Sequence, residues 1–122
     1  MTQKELRAFY NEKLKLNDLI LTLDGLKKIQ ESPPDTLTLE IVMENIQDLE
    51  AEIQDKTREL DRRAEDVAAT LALLKEPMTR IPARLHFLHG MLWDEVSSIM
   101  NSPGRAIESR IIRAMNEVIP KG

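Results

Sequence analysis

The sequence predicts an all-α fold: a long antiparallel helical hairpin of coiled-coil type, followed by a small C-terminal helix-turn-helix domain. Three observations predict it. Apolar residues recur every three or four positions through most of the chain. Charged residues are abundant (31%), aromatic ones scarce (3%), and there are only 4 glycines, a balance that favours helices over strands. The periodicity is interrupted mainly where prolines sit, at Pro33-Pro34, Pro77 and Pro103, since proline cannot continue a helical ladder. The boundaries drawn from these breaks are 1–76 for the hairpin and 77–122 for the C-terminal domain.

The first helix is expected from residue 2 to about residue 31. Leu6, Phe9, Leu16, Ile20 and Leu23 follow the helical spacing, and Leu19, Leu26 and Ile29 widen the stripe. Gly25 costs about 1 kcal/mol inside a helix, but Leu26 and Ile29 keep the period beyond it. Ser32-Pro33-Pro34-Asp35 ends this helix, and so short a turn folds the next one back antiparallel.

The second helix is expected from about Thr38 to Glu76. Leu39, Val42, Ile46, Leu49, Ile53, Leu60, Val67 and Leu74 fall on one heptad register. Lys56, Arg63 and Thr70 interrupt it, and beyond Ile53 the residues Ala64, Ala68 and Leu71 shift the apolar face. Its first part therefore pairs with the first helix and its second part with the C-terminal domain. At 1.5 Å per residue, ~38 residues extend ~57 Å, longer than a compact domain of this size. Such a rod exposes apolar surface, which predicts a homodimer with Leu39, Val42, Ile46, Leu49 and Ile53 as coiled-coil positions. The alternative is a monomeric three-helix packing.

Glu76-Pro77 closes the rod. Pro82 suits the first turn of a short helix, Ala83 to His89, stopped by Gly90, with Leu85, Phe87 and Leu88 as its apolar side. Trp93 is the single tryptophan and is expected at the joint between these helices. From Leu92 to Met115 the chain reads as helix, tight turn and helix. Val96, Ile99 and Met100 form the apolar side of the first helix, and Ile107, Ile111, Ala114, Met115 and Val118 that of the second. Asn101-Ser102-Pro103-Gly104 turns the chain, with Asn101 tolerant of the left-handed region and Gly104 of positive φ. Ser97 is the small residue that lets the two helices cross closely. The alternative is a plain helical hairpin on a small core.

Ala106-Ile107-Glu108-Ser109-Arg110-Ile111-Ile112-Arg113-Ala114 resembles the second helix of the sigma-factor region-four type, Thr-Val-Lys-Ser-Arg-Leu-x-Arg-Ala. His89 to Val96 resembles the Gly-x-Ser/Thr-Trp-x-Glu-Ile/Val entry of phage late-transcription regulators of the RinA/ArpU type. The resemblance covers roughly the last third of the chain. It implies a C-terminal DNA-binding helix-turn-helix and a role in switching on late or packaging-gene transcription. Leu92 departs from the capping Ser or Thr of that pattern, Glu108 from its Lys, and the turn is one residue longer.

Arg105, Ser109, Arg113 and Asn116 share the helix face opposite Ile107, Ile111 and Met115. Docked in a major groove, Arg reads guanine, Asn reads adenine and Ser meets phosphate. Arg110 either supports the helix pair or reaches a phosphate, and Arg80, Arg84 and Lys121 are candidate flanking phosphate contacts. The alternative is an ordinary solvated face. Charge agrees with the division: residues 1–76 carry 11 Lys+Arg against 17 Asp+Glu, and residues 77–122 carry 6 against 4. Phosphate contacts need cations, so any double-stranded DNA contact belongs to the C-terminal part.

No catalytic constellation, glycine-rich phosphate loop or cofactor motif occurs, so an enzyme is not expected. His86 and His89 lack the further ligands of a metal site. With 0 cysteines, thiol and disulfide chemistry are excluded. The longest apolar run, near Leu19 to Leu23, is far too short to span a bilayer, and the expected location is the bacterial cytoplasm. Two functions remain. One is a DNA-binding transcription regulator of phage type. The other is a coiled-coil adaptor that binds RNA polymerase, a repressor or another phage protein, with the helix-turn-helix as a structural end piece.

Overall fold

The computed structural model describes all 122 residues, Met1–Gly122. It is entirely helical: α1 (Gln3–Glu31), α2 (Thr36–Leu71), α3 (Pro77–Ala83) running into a π-helical turn (Arg84–Leu88), α4 (Trp93–Met100) and α5 (Gly104–Val118). No helix is long and apolar enough to cross a membrane.

α1 starts at a capping box. The Thr2 hydroxyl accepts from the Glu5 N–H (3.2 Å) and the Glu5 carboxylate accepts from the Thr2 N–H (3.0 Å). The helix passes Gly25 without a break, as its apolar period predicts. α2 starts at Asp35, whose carboxylate accepts from the Thr38 N–H at 2.6 Å. That bond holds the carboxyl below its ordinary range.

α1 and α2 pair as the antiparallel hairpin. Towards its tip, Leu23, Val42 and Ile46 are buried together, with Leu26, Leu49 and Ile53 packed against them. The heptad residues of α2 are therefore taken up by α1 of the same chain. The polar residues that interrupt the heptad are taken up by α1 as well or within α2. Lys56 pairs with Glu12 at 3.4 Å, and the Arg63 guanidinium lies 5.6 Å from the centre of the Phe9 ring. Thr70 is buried with its hydroxyl donating to the Asp66 carbonyl.

At the other end of the hairpin a second core gathers residues from the whole chain. Leu6, Phe9 and Leu16 of α1 meet Leu60, Val67 and Leu71 of α2, and both meet Phe87, Val96, Ile107, Ile111, Met115 and Ile119. This single cluster crosses the 76/77 boundary, so the C-terminal helices complete the base of the hairpin.

Two boundaries differ from the sequence expectation. α2 ends at Leu71 instead of near Glu76. The Leu73 and Leu74 N–H groups bond three residues back, to Thr70 and Leu71. This tightens the chain and swings Leu74 into the core at 3% exposure. The Arg80 guanidinium then donates to the freed Leu74 and Lys75 carbonyls. α3 in turn begins at Pro77, six residues ahead of the expected start at Ala83, because Pro77 supplies the first-turn proline and Pro82 lies inside. Pro82 cannot donate to the Met78 carbonyl, so the ladder is broken there. The helix widens just beyond, with the His89 N–H bonding five residues back to Arg84 at 3.2 Å. The wider turn leaves both His86 and Phe87 buried. Gly90 closes it at φ 74°; a Cβ there would lie 2.7 Å from Lys13 Cγ, so only glycine lets the turn approach α1 so closely.

Candidate nucleic-acid interface

α4, the turn and α5 form a locked unit. Asn101 adopts the left-handed conformation (φ 52°, ψ 44°), one of the few side chains that does so at low cost. Ser97 holds the turn twice: its carbonyl accepts from the Ser102 N–H at 3.3 Å, and its hydroxyl donates to the Ser102 carbonyl. Gly104, expected to supply positive φ, is instead the first residue of α5 with no positive φ. A Cβ there would make only an ordinary van der Waals contact, 3.4 Å from the Trp93 carbonyl oxygen, so neither backbone conformation nor space demands glycine at this position. Leu92 offers α4 no side-chain acceptor. Only the Glu95 half of a capping box is made, with its carboxylate accepting from the Leu92 N–H at 3.1 Å.

Beneath this unit lies an aromatic column. The His86 ring stacks on Trp93 (3.7 Å between centres, 10° between planes) and on Tyr10 (4.0 Å, 26°). Phe87 meets His86 edge-on at 4.8 Å. Burial pushes His86 down to about 4, against a smaller upward pull from its bond to the Met91 carbonyl. Because a carbonyl can only accept, that 2.7 Å contact places the proton of neutral His86 on Nδ1. Trp93 sits at the joint, as expected. Burial also raises the Tyr10 hydroxyl above its ordinary value.

α5 buries Ile107, Ile111 and Met115, at 2%, 0% and 2% exposure. Arg105, Ser109, Arg110 and Arg113 are all exposed. None of these arginines takes part in the ion pairs of the structure. The N-terminus of α5 is preceded by Pro103, which provides no side-chain cap, so its first N–H groups are open to an acceptor. Of the flanking candidates, Lys121 is exposed and Arg84 half-buried, and Arg80 is spent on the carbonyls that end α2.

Asn116 is exposed on the same side of α5 as Arg105 and Ser109 and makes a further contact there. Its side-chain oxygen accepts from Gln3 Nε2 at 3.0 Å, and the same Gln3 group donates to the Ile119 carbonyl at 3.0 Å. The Gln3 and Lys4 N–H groups donate to the Pro120 and Lys121 carbonyls at 2.8 and 3.2 Å. The end of the chain thereby satisfies donors at the start of α1 that no helix can satisfy internally. The Asn116 side-chain oxygen thus takes part in that clasp between the termini, while the residue, expected to read adenine, stays exposed.

Sequence reasoning missed Gln3, buried at 3%, and Arg7, which lines a cleft of about 300 Å³ between α1 and α5 with Tyr10, Asn11, Glu108 and Ile112. Their separation of about a hundred residues from α5 leaves no local signal. The one available hint was the polar Gln3 three residues ahead of Leu6, on the face that α1 buries.

Comparison with protein-family models, with curated proteins and with solved structures gave no match.

Proposed function

We propose that the chain is a DNA-binding transcription regulator of phage type, meeting the major groove with the outer face of α5. The observation that carries this reading is the exposure of Arg105, Ser109, Arg110 and Arg113 on a helix whose other side is sealed into the core. Cations held on a rigid element, without internal carboxylate partners, are what phosphate and guanine contacts require. The open N-terminus of α5 adds donors and a partial positive charge where the helix would approach a phosphate. The clasp of Gln3, Asn116 and Ile119 fixes the far end of α5, so the helix is presented as a rigid body.

Val42, Ile46, Leu49 and Ile53 of the expected coiled-coil positions pack within the hairpin, with Leu39 half-buried outside that cluster, so a homodimer on two half-sites would have to form mainly through another surface. A second reading, in which the chain is an adaptor and α4–α5 an end piece, draws on the acid excess of residues 1–76.

Fluorescence anisotropy with mixed-sequence duplex DNA at low salt separates the two. The Arg105→Ala/Arg113→Ala variant is expected to lose ~1–3 kcal/mol of binding per arginine, and its salt slope falls by about 2. Its helical circular dichroism stays intact. Equal binding by the variant, or none by the wild type, overturns the regulator reading.

A further inference from the structure

The tip half of α2 has an unusual outer face. Residues 36–55 hold six carboxylates (Glu40, Glu44, Asp48, Glu50, Glu52 and Asp55) and no Lys or Arg. Helical spacing places Leu37, Ile41, Glu44, Asp48 and Glu52 in one stripe that faces away from buried Val42 and Ile46. All five are exposed, Leu37 at 68% and Ile41 at 53%. Only Glu50 on the flank, paired with Lys27 at 3.7 Å, and Asp55, 3.9 Å from Arg58, have cationic partners. Ile20 and Ile29 of α1 are exposed in the same half of the hairpin.

We infer that this stripe docks a basic amphipathic helix of a partner protein. Leu37 and Ile41 would take its apolar anchors, and Glu44, Asp48 and Glu52 its lysines or arginines. An apolar pair one helical turn apart, continued by acids at the same pitch, complements a helix with its own apolar and basic residues on one face. The three carboxylates would gain partners they lack in the free chain and steer the encounter. A second copy is a poor occupant. A two-fold contact sets the same patch against itself, and this patch holds no Lys or Arg to pair with the carboxylates. Nucleic acid is repelled for the same reason. The inference concerns a surface on the opposite half of the hairpin from α5 and stands whether or not α5 binds DNA.

The test uses the full chain and a labelled helical peptide with Leu at i and i+4 continued on the same face by Lys at i+7, i+11 and i+15, and the same peptide with Glu for Lys. The basic peptide is expected to bind. Leu37→Ser/Ile41→Ser and Glu44→Gln/Asp48→Asn/Glu52→Gln are each expected to weaken it ~10-fold or more, a size typical of lost anchor or charge contacts. Neutralising Glu59, Asp61 and Glu65, exposed acids further along α2, is expected to change affinity less than ~2-fold, because screening confines such effects to near neighbours. Sedimentation velocity runs alongside. Equal losses in the two charge variants would reduce the effect to bulk charge and overturn the inference. So would equal binding of the acidic peptide, or self-association that Leu37→Ser/Ile41→Ser abolishes.

Discussion

The two ends of the hairpin are built differently from the same two helices. At the tip, α1 and α2 have only each other, and one narrow seam of Leu23, Val42 and Ile46 holds them. At the base the helices are enclosed by α3, the π-helical turn, α4 and α5, and 14 buried residues form one cluster. The difference shows how this chain couples shape to surface. The tip is left with unpaired acids and exposed apolar side chains. The base packs its larger cluster around α5 and leaves arginines outside, although Leu73, Met78, Ile99 and Val118 stay exposed there as well. A helix that presents cations to a stiff ligand needs the second kind of support, since a frame that gives way lets the contacts slip.

Stability separates the two ends most sharply. Ile111→Ala at the base opens a cavity in a site at 0% exposure and is expected to cost ~3–4 kcal/mol. Val42→Ala at the tip, 6% exposed and in a three-residue cluster, is expected to cost ~1–2 kcal/mol, because the seam can collapse around it. Urea unfolding measures both. Equal costs would show the tip to be as tightly packed as the base.

The aromatic column sharpens the same contrast through pH. Folded His86 is held near 4 while an unfolded histidine titrates near 6.5. The unfolded state therefore takes up the proton first. Stability is full above pH 6.5, falls as pH drops towards 4, and levels off below, for this group alone. The loss is roughly 2–3 kcal/mol. Replacing the ring with His86→Phe keeps the stack and should flatten the profile across that window. A retained slope would assign it to other groups.

The smallest effect concerns the entry to α4. Leu92 is exposed at 50% and caps nothing. Leu92→Ser should therefore stabilise the chain by about 1 kcal/mol through a bond to the first-turn N–H groups, measured as a rise in Tm. No change would mean that the Glu95 carboxylate and water already satisfy that turn.

Much of this architecture was legible in the sequence because it depends on local rules. Leu6, Phe9, Leu16 and Leu23 of the α1 stripe, the Ser32–Asp35 turn, the left-handed Asn101 and Ile107, Ile111 and Met115 of α5 follow from spacing and steric preference alone. Ile20, Ile99 and Val118, expected on the apolar faces, lie instead at their edges and are exposed. The heptad through Val42 and Ile46 was equally plain, but periodicity does not say whether the partner helix belongs to the same chain or to another. The end of α2 was misjudged because apolar Leu74 stays in register while the chain has already left the helix to bury it. The π-helical turn was not legible because Pro82 removes one bond of the ladder without fixing how the ladder resumes beyond it. In the candidate interface, the exposed arginines were legible, whereas the contact of Asn116 with Gln3 was not. Gln3 comes to it from 113 residues away, and nothing near Asn116 announces that partner.

The most direct test of the central claim, that a rigid base holds the outer face of α5 open for DNA, is amide chemical-shift mapping on the full chain with a short duplex at low salt. Perturbations are expected along Arg105, Ser109, Arg110 and Arg113 and at the open first turn of α5, with residues 36–55 unmoved. Shifts confined to the hairpin, or none at any residue, would contradict it.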